Sequence, residues 1–229
     1  MLRAILCELE GVLVQTSGLR RVSMARAVAS LGGSLPDDWR SEITEPPVVP
    51  AEAASAALAA GLDADETTVD LLGLAASRFF VEALTAGGVT LADGAAAFVR
   101  DAAAQVRLAI VTRARRREAE LLLSQTPFAD AFAFLIAEED VPRVKPHPDP
   151  YRAALDRLRL APGGKRDVLA LEHGASGIAS AVEAGIRCVA VGPFEQARGV
   201  APVSAIPSVA AVSIPLLARL LEADPEVAV

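Results

Sequence analysis

Two carboxylates, Glu8 and Glu10, stand where an apolar opening run gives out, in Leu6-Cys7-Glu8-Leu9-Glu10-Gly11-Val12-Leu13. Paired carboxylates can divide nucleophilic and acid–base work when their surroundings differ. Downstream, Lys145-Pro146-His147-Pro148-Asp149-Pro150-Tyr151 offers a cation in a loop stiffened by prolines. Glu172-His173-Gly174-Ala175-Ser176-Gly177 adds an acid and an imidazole, and Thr112 adds a hydroxyl at the end of Leu108–Val111. Taken singly these residues have bland readings. An acidic pair after a strand is common, Thr112 can be a strand-end residue, and His173 a hydrogen-bonded structural histidine. His147, between prolines, reads as an exposed loop residue. Lys145 says more, because its proline-rich string is rare. Order and spacing together outweigh any one residue.

The elements that must position these groups alternate. Leu2–Leu9 is an apolar run stopped by Glu-Gly, the pattern of a buried parallel strand. Leu108–Val111, Phe134–Ala137, Val168–Leu171 and Cys188–Val191 read as further strands. Helices are expected after Asp93, from about Arg115 to Ser124, from Asp149-Pro150 to Leu160, through Ala184, and over Ser213–Leu221. Strands alternating with helices imply right-handed crossovers and a parallel sheet covered on both faces. In such a sheet the ligand crevice lies at the carboxyl ends of the strands. Glu8, Glu10, Thr112, Glu172 and His173 all fall at ends of this kind. Between Val14 and Gly88 no strand signal appears. Ser17–Leu31, Ala51–Ala60 and about Thr67–Leu84 have helical spacing, with Asp63 and Asp65 as capping candidates, and Ser34–Pro50 is Pro-rich and irregular. The expected architecture is therefore α/β, a Rossmann-like parallel sheet core over 1–14 and 89–229 with an inserted all-helical cap over 15–88.

Of the 229 residues, 52% are hydrophobic and 22% charged, enough for a buried core and against disorder. Aromatics are only 4%, so Ala, Leu and Val must build that core. The net charge of −7 disfavours nonspecific nucleic-acid binding. Arg113, Arg115, Arg116 and Arg117 are a local exception, read as a solvated helix start because no aromatics are interleaved. Cys7 and Cys188 lie inside apolar runs, as two reduced core thiols of a cytoplasmic protein would. No secretory signal and no run of roughly 20 apolar residues is present, so no membrane partner is expected.

The three motifs resemble the active-site framework of the haloacid dehalogenase-like superfamily, in the branch of phosphoglycolate phosphatases and β-phosphoglucomutases. The resemblance covers the first strand and most of Leu91–Gly192. It implies a phosphoryl-transfer site in which Glu8 takes the nucleophile's place and Glu10 that of the general acid and base. Thr112 and Lys145 take the places that hold phosphoryl oxygens. It also implies Mg2+, with Glu8, Glu10, Glu172 and His173 at the metal-site positions, and a small phosphorylated metabolite as partner. The family writes aspartate where Glu8 and Glu10 stand, and usually Glu-Asp where Glu172-His173 stands. An added methylene moves a carboxylate by about 1 Å, which can cost on the order of 100-fold in rate. Imidazole nitrogen suits zinc, nickel or iron better than magnesium. The expectation is a phosphatase-type protein impaired or inactive in Mg2+-dependent transfer, so whether it is an enzyme stays open. The alternative is an active phosphatase of small phosphoesters using Glu8. Without a metal, three crowded carboxylates should leave at least one with a raised pKa. Substrate and oligomeric state are not legible.

Overall fold

A computed structural model describes residues 1–37, 39, 49–161, 163–193 and 201–222. The strands are β1 (Ala4–Cys7), β2 (Val14–Gln15), β3 (Thr90–Leu91), β4 (Arg107–Val111), β5 (Phe132–Ile136), β6 (Val168–Glu172), β7 (Arg187–Val191) and β8 (Ser204–Ile206). The helices are α1 (Ser17–Ser30), α2 (Val49–Ala59), α3 (Glu66–Gly87), α4 (Ala95–Ala103), α5 (Arg116–Ser124), α6 (Asp149–Leu158), α7 (Ala175–Glu183) and α8 (Ile214–Glu222). Contacts divide the chain into two compact units, Met1–Gln15 with Leu91–Val229, and Thr16–Thr90.

The larger unit is an α/β fold built on a six-stranded sheet in the order β5-β4-β1-β6-β7-β8, every pairing parallel. It has the Rossmann-like character the alternation predicts. The central strands are apolar throughout because both faces are covered, as parallel sheets require. Period two puts Ala4 and Leu6, Ala109 and Val111, Val168 and Ala170, and Cys188 and Ala190 in one buried cluster. Tyr151, Ala154 and Leu158 of α6 and Ile178 and Ala181 of α7 complete that cluster. Each fully buried Leu, Ile or Val of this kind contributes about 1.5–3 kcal/mol. Cys7 and Cys188 are both buried and free. From β1 the chain builds outward through β4 and β5, then returns to β6 on the other side and continues through β7 and β8. The reversal beside β1 is the switch point where such sheets open a crevice.

The smaller unit holds α1, α2 and α3, packed through Met24, Ala27 and Val28, Ala53, Ala56 and Ala57, and Val69, Leu72 and Phe79. Asp65 caps α3, its Oδ1 accepting the Thr68 N–H at 2.7 Å. Most of the irregular 34–50 stretch lies outside the described residues. Among the described residues no helix is long and apolar enough to cross a membrane.

Several local expectations need correction. The helix expected after Asp93 begins one residue later, with Gly94 at its N-cap in the left-handed conformation. Arg113 is not solvated. It is only 9% exposed, since it lies at the end of β4 and not on the helix that follows. Arg116 opens α5 and pairs with Glu120 and Asp140. His147 is half-buried, its Nδ1 3.0 Å from Asp149 Oδ1.

Candidate active site

The alternation that makes the core also makes the site. Residues 4 and 6 of β1 point into the buried cluster, so Glu8 continues the same row. Val168 and Ala170 do so in β6, so Glu172 continues that one. The parallel register pairs Leu6 with Ala170 and Cys7 with Leu171, and the Glu8 N–H donates to the Leu171 carbonyl at 2.9 Å. Two carboxylates therefore end neighbouring strands side by side, both buried, an arrangement that repels unless a cation intervenes.

Lys145 supplies it. Its side chain is 1% exposed, and Nζ donates to Glu8 Oε2 at 2.8 Å, to Glu172 Oε1 at 2.5 Å and to the Val111 carbonyl at 2.8 Å. Glu8 Oε1 accepts the Leu9 N–H at 2.7 Å, so both its oxygens are engaged. Tyr151 donates its hydroxyl to Glu172 Oε1. Tyr151 closes the lysine string, where no local pattern assigns it a role. The signal was its position in the first turn of α6, after Asp149-Pro150, which turns it inward.

One ammonium cannot neutralise two carboxylates, and the proton affinities follow. Burial raises the pKa of Glu172 most, Lys145 opposes this and Glu8 adds to it, so the carboxyl is pushed up to about 7. Burial works against the charge of Lys145, but Glu172 and Glu8 outweigh it and hold the pKa above the ordinary lysine value. Both partners of the 2.5 Å contact thus hold protons more tightly than usual, although a simple pair would lower the acid. The charge count resolves this: lysine stays cationic, and the surplus negative charge falls on Glu172. Burial, then the Glu172 charge, drives the Tyr151 phenol far up, so it stays a neutral donor.

Glu10 is buried in the turn after β1 and forms a bridge with Val14. Thr112 is buried at the end of β4, its N–H bonded to the Ile136 carbonyl and its Oγ1 accepting the Ala114 N–H at 3.2 Å. His173 sits against Gly11 and Gly192, with Nδ1 3.1 Å from the Val191 carbonyl. Gly11 has φ +82°, and a Cβ there would overlap the imidazole. Gly177 is needed for a related reason, since a Cβ would overlap the carboxylate of Glu172. Gly11→Ala should lower stability to denaturant by about 1–3 kcal/mol. Adding His173→Ala should restore the steric part only, leaving the backbone strain. Equal stability of Gly11→Ala and the unchanged protein would show that the ring does not press on this turn.

The metal set implied by the resemblance does not fit these positions. Lys145 Nζ lies between the carboxylates of Glu8 and Glu172, and His173 is turned to a backbone carbonyl. Among the described residues no group of three His, Cys, Asp or Glu side chains is disposed to hold an ion. Magnesium demands near-octahedral oxygen coordination, which this arrangement does not offer.

Comparison with known proteins agrees with the framework. A profile of haloacid dehalogenase-like hydrolases matches residues 65–191. Protein CbbY of Rhodobacter capsulatus is 37% identical over 129 residues, covering 55% of this chain and 55% of the relative, so the match spans about half its length. Validoxylamine A 7'-phosphate phosphatase of Streptomyces hygroscopicus subsp. limoneus is 28% identical over 88% of this chain and 91% of its own. The crystal structure of CbbY from Rhodobacter sphaeroides in complex with phosphate superposes with a TM-score of 0.77 at 26% identity. That superposition covers 92% of this chain and 96% of the other. With its strand-end motifs, parallel sheet and a profile match over more than half its length, the chain belongs to the haloacid dehalogenase-like hydrolases.

Proposed function

We propose that this protein is a phosphatase-type scaffold that binds a small phosphorylated metabolite and has lost most Mg2+-dependent turnover. The observation that carries the reading is the position of Lys145 Nζ, bonded at once to Glu8 and Glu172. Phosphoryl transfer asks the protein for positioning and charge stabilisation, and a nucleophile must present a lone pair in line with phosphorus. Both oxygens of Glu8 are already taken, and its longer side chain sets the carboxylate away from the place an aspartate would reach. His173 stands where the family has an acidic ligand and is held by Val191 and Gly11. Thr112 retains a hydroxyl at the strand end, and Glu10 keeps the acid–base position. The phosphatase relative and the phosphate-bound CbbY favour a phosphomonoester of sugar-like size as ligand. The unit Thr16–Thr90 takes the role of a helical cap that selects it. The two free, buried thiols favour work in the cytoplasm.

Hydrolysis of a panel of small phosphomonoesters tests this. The unchanged protein with Mg2+ should run at least about 100-fold slower than Glu8→Asp/His173→Asp, and each single change should recover less than the pair. If the unchanged protein turns over a sugar phosphate at roughly 1 per second or more, and Glu8→Gln abolishes this, Glu8 is a working nucleophile and the reading fails.

A further inference from the structure

Lys145 heads a loop that can do little to hold itself. Pro146, Pro148 and Pro150 bring no N–H. The His147 N–H turns back to the Val144 carbonyl at 2.9 Å, and the side chain of Asp149 is tied to Arg143 at 3.0 Å. The His147 carbonyl is met from outside the loop, where Ser180 Oγ of α7 donates to it at 2.6 Å. Ser180 is wholly buried. Its choice of partner is unusual for a hydroxyl inside a helix. Ser23 and Thr85 each donate to a carbonyl of their own helix, those of Leu19 and Val81. Ser180 instead reaches 33 residues back along the chain to another segment.

The same helix also seats a partner of Lys145. Gly177 leaves room that the Glu172 carboxylate fills, since a Cβ there would overlap it. Residues three apart share a helix face. One face of α7 therefore receives Glu172 and holds the loop that bears Lys145. Nζ then meets Glu172 Oε1 at 2.5 Å and Glu8 Oε2 at 2.8 Å. Burying such charges is offset only when the geometry is good, so the placement of the ammonium must be held closely.

We propose that Ser180 is a positioning residue: through the His147 carbonyl, its hydroxyl sets the Lys145 ammonium between Glu8 and Glu172. It acts only through the loop. Its bearing on phosphoryl chemistry rests on the phosphatase-type reading above, in which the place of that ammonium fixes what Glu8 can do. The position of Lys145 itself does not depend on that reading.

The chain has two lysines, Lys145 and the exposed Lys165, so protein carrying isotope-labelled lysine gives two side-chain ammonium signals by NMR. That of Lys145 should exchange protons with water at least about 100-fold more slowly than that of Lys165. Ser180→Ala removes the donor with little change of shape. It should shift the Lys145 signal and speed its exchange at least about fivefold, with Lys165 unmoved. Ser180→Cys, a weaker donor, should fall between. Tyr151, the single tyrosine, gives a second signature. Its hydroxyl donates to the same Glu172 oxygen as Lys145, so its near-ultraviolet absorption should shift in Ser180→Ala. Lower stability to urea with both signatures unmoved would make the hydroxyl merely structural and overturn the proposal. Should Ser180→Ala fail to fold, Ser180→Cys decides, and an unmoved Lys145 signal there overturns it. Rapid turnover of a sugar phosphate by the unchanged protein would remove the loss-of-turnover reading and leave this proposal standing.

Discussion

Lys145→Met is expected to lower the free energy of unfolding by about 3–5 kcal/mol near neutral pH, read by urea denaturation. Methionine keeps the length of the stem and its packing against Tyr151, whose ring lies 5.3 Å from Nζ. What disappears is the charge between two buried carboxylates whose strands fix them side by side. Neither can retreat to water, because β1 and β6 are central in the sheet and both side chains are buried. The loss should shrink in Lys145→Met/Glu8→Gln/Glu172→Gln, since neutral amides no longer repel. Non-additivity of about 0.5–3 kcal/mol would mark the three as one electrostatic group. A loss below about 1 kcal/mol for Lys145→Met would mean that water already screens the glutamates.

The second large effect is on pH dependence. Glu172 has a folded-state pKa of about 7, above its ordinary 4.5, so the folded protein binds more protons than the unfolded chain between those values. Its contribution is therefore fully present below about pH 4.5 and is lost as pH rises through about 7. The stability difference across that window is on the order of 3 kcal/mol. Lys145 is shifted upward, so its own contribution persists until well into the alkaline range. The lowered carboxyls of Asp65, Asp140 and Asp149 act at the acid end, where stability falls as pH drops. Between pH 5 and about 8 the fall with rising pH should thus come mainly from Glu172, with a further part from Glu138, whose carboxyl is also raised by burial, and Glu172→Gln should remove most of it. Stability that rises over this interval in the unchanged protein would contradict the placement of the surplus charge.

Much of this was legible in the residues. Long apolar runs such as Val168–Leu171 announce central strands because both faces are buried, and their ends locate Glu8 and Glu172 without coordinates. β2 and β3, two residues each, are too short for any periodicity, and β8 carries only Ser-Ala-Ile. The sequence could bring Lys145 near the carboxylates only through family resemblance, since a lysine in a proline loop has no local reason to be buried. Its burial follows from strand register, a long-range quantity. The burial of Arg113 escapes the sequence for the same cause: charge content suggests solvent, whereas its bond to Ser176 at the start of α7 joins residues distant in the chain. His173 was placed well by its bland reading, as a histidine bonded to backbone, and the Gly11 it presses upon gives a sequence-level hint of close approach.

The short ribbon of β2 and β3 has a wider meaning. The Ala92 N–H donates to the Leu13 carbonyl at 2.9 Å, so the main chain leaves the sheet unit and returns to it at adjoining points. The segment between is a loop whose two feet are already tied. Closing a longer loop adds little, about 0.6 kcal/mol for each doubling of length. Heritable change can therefore lengthen, shorten or exchange the whole cassette almost without taxing the scaffold that carries it. Descendants of one ancestor can keep the same engine block while trading the attachment it carries.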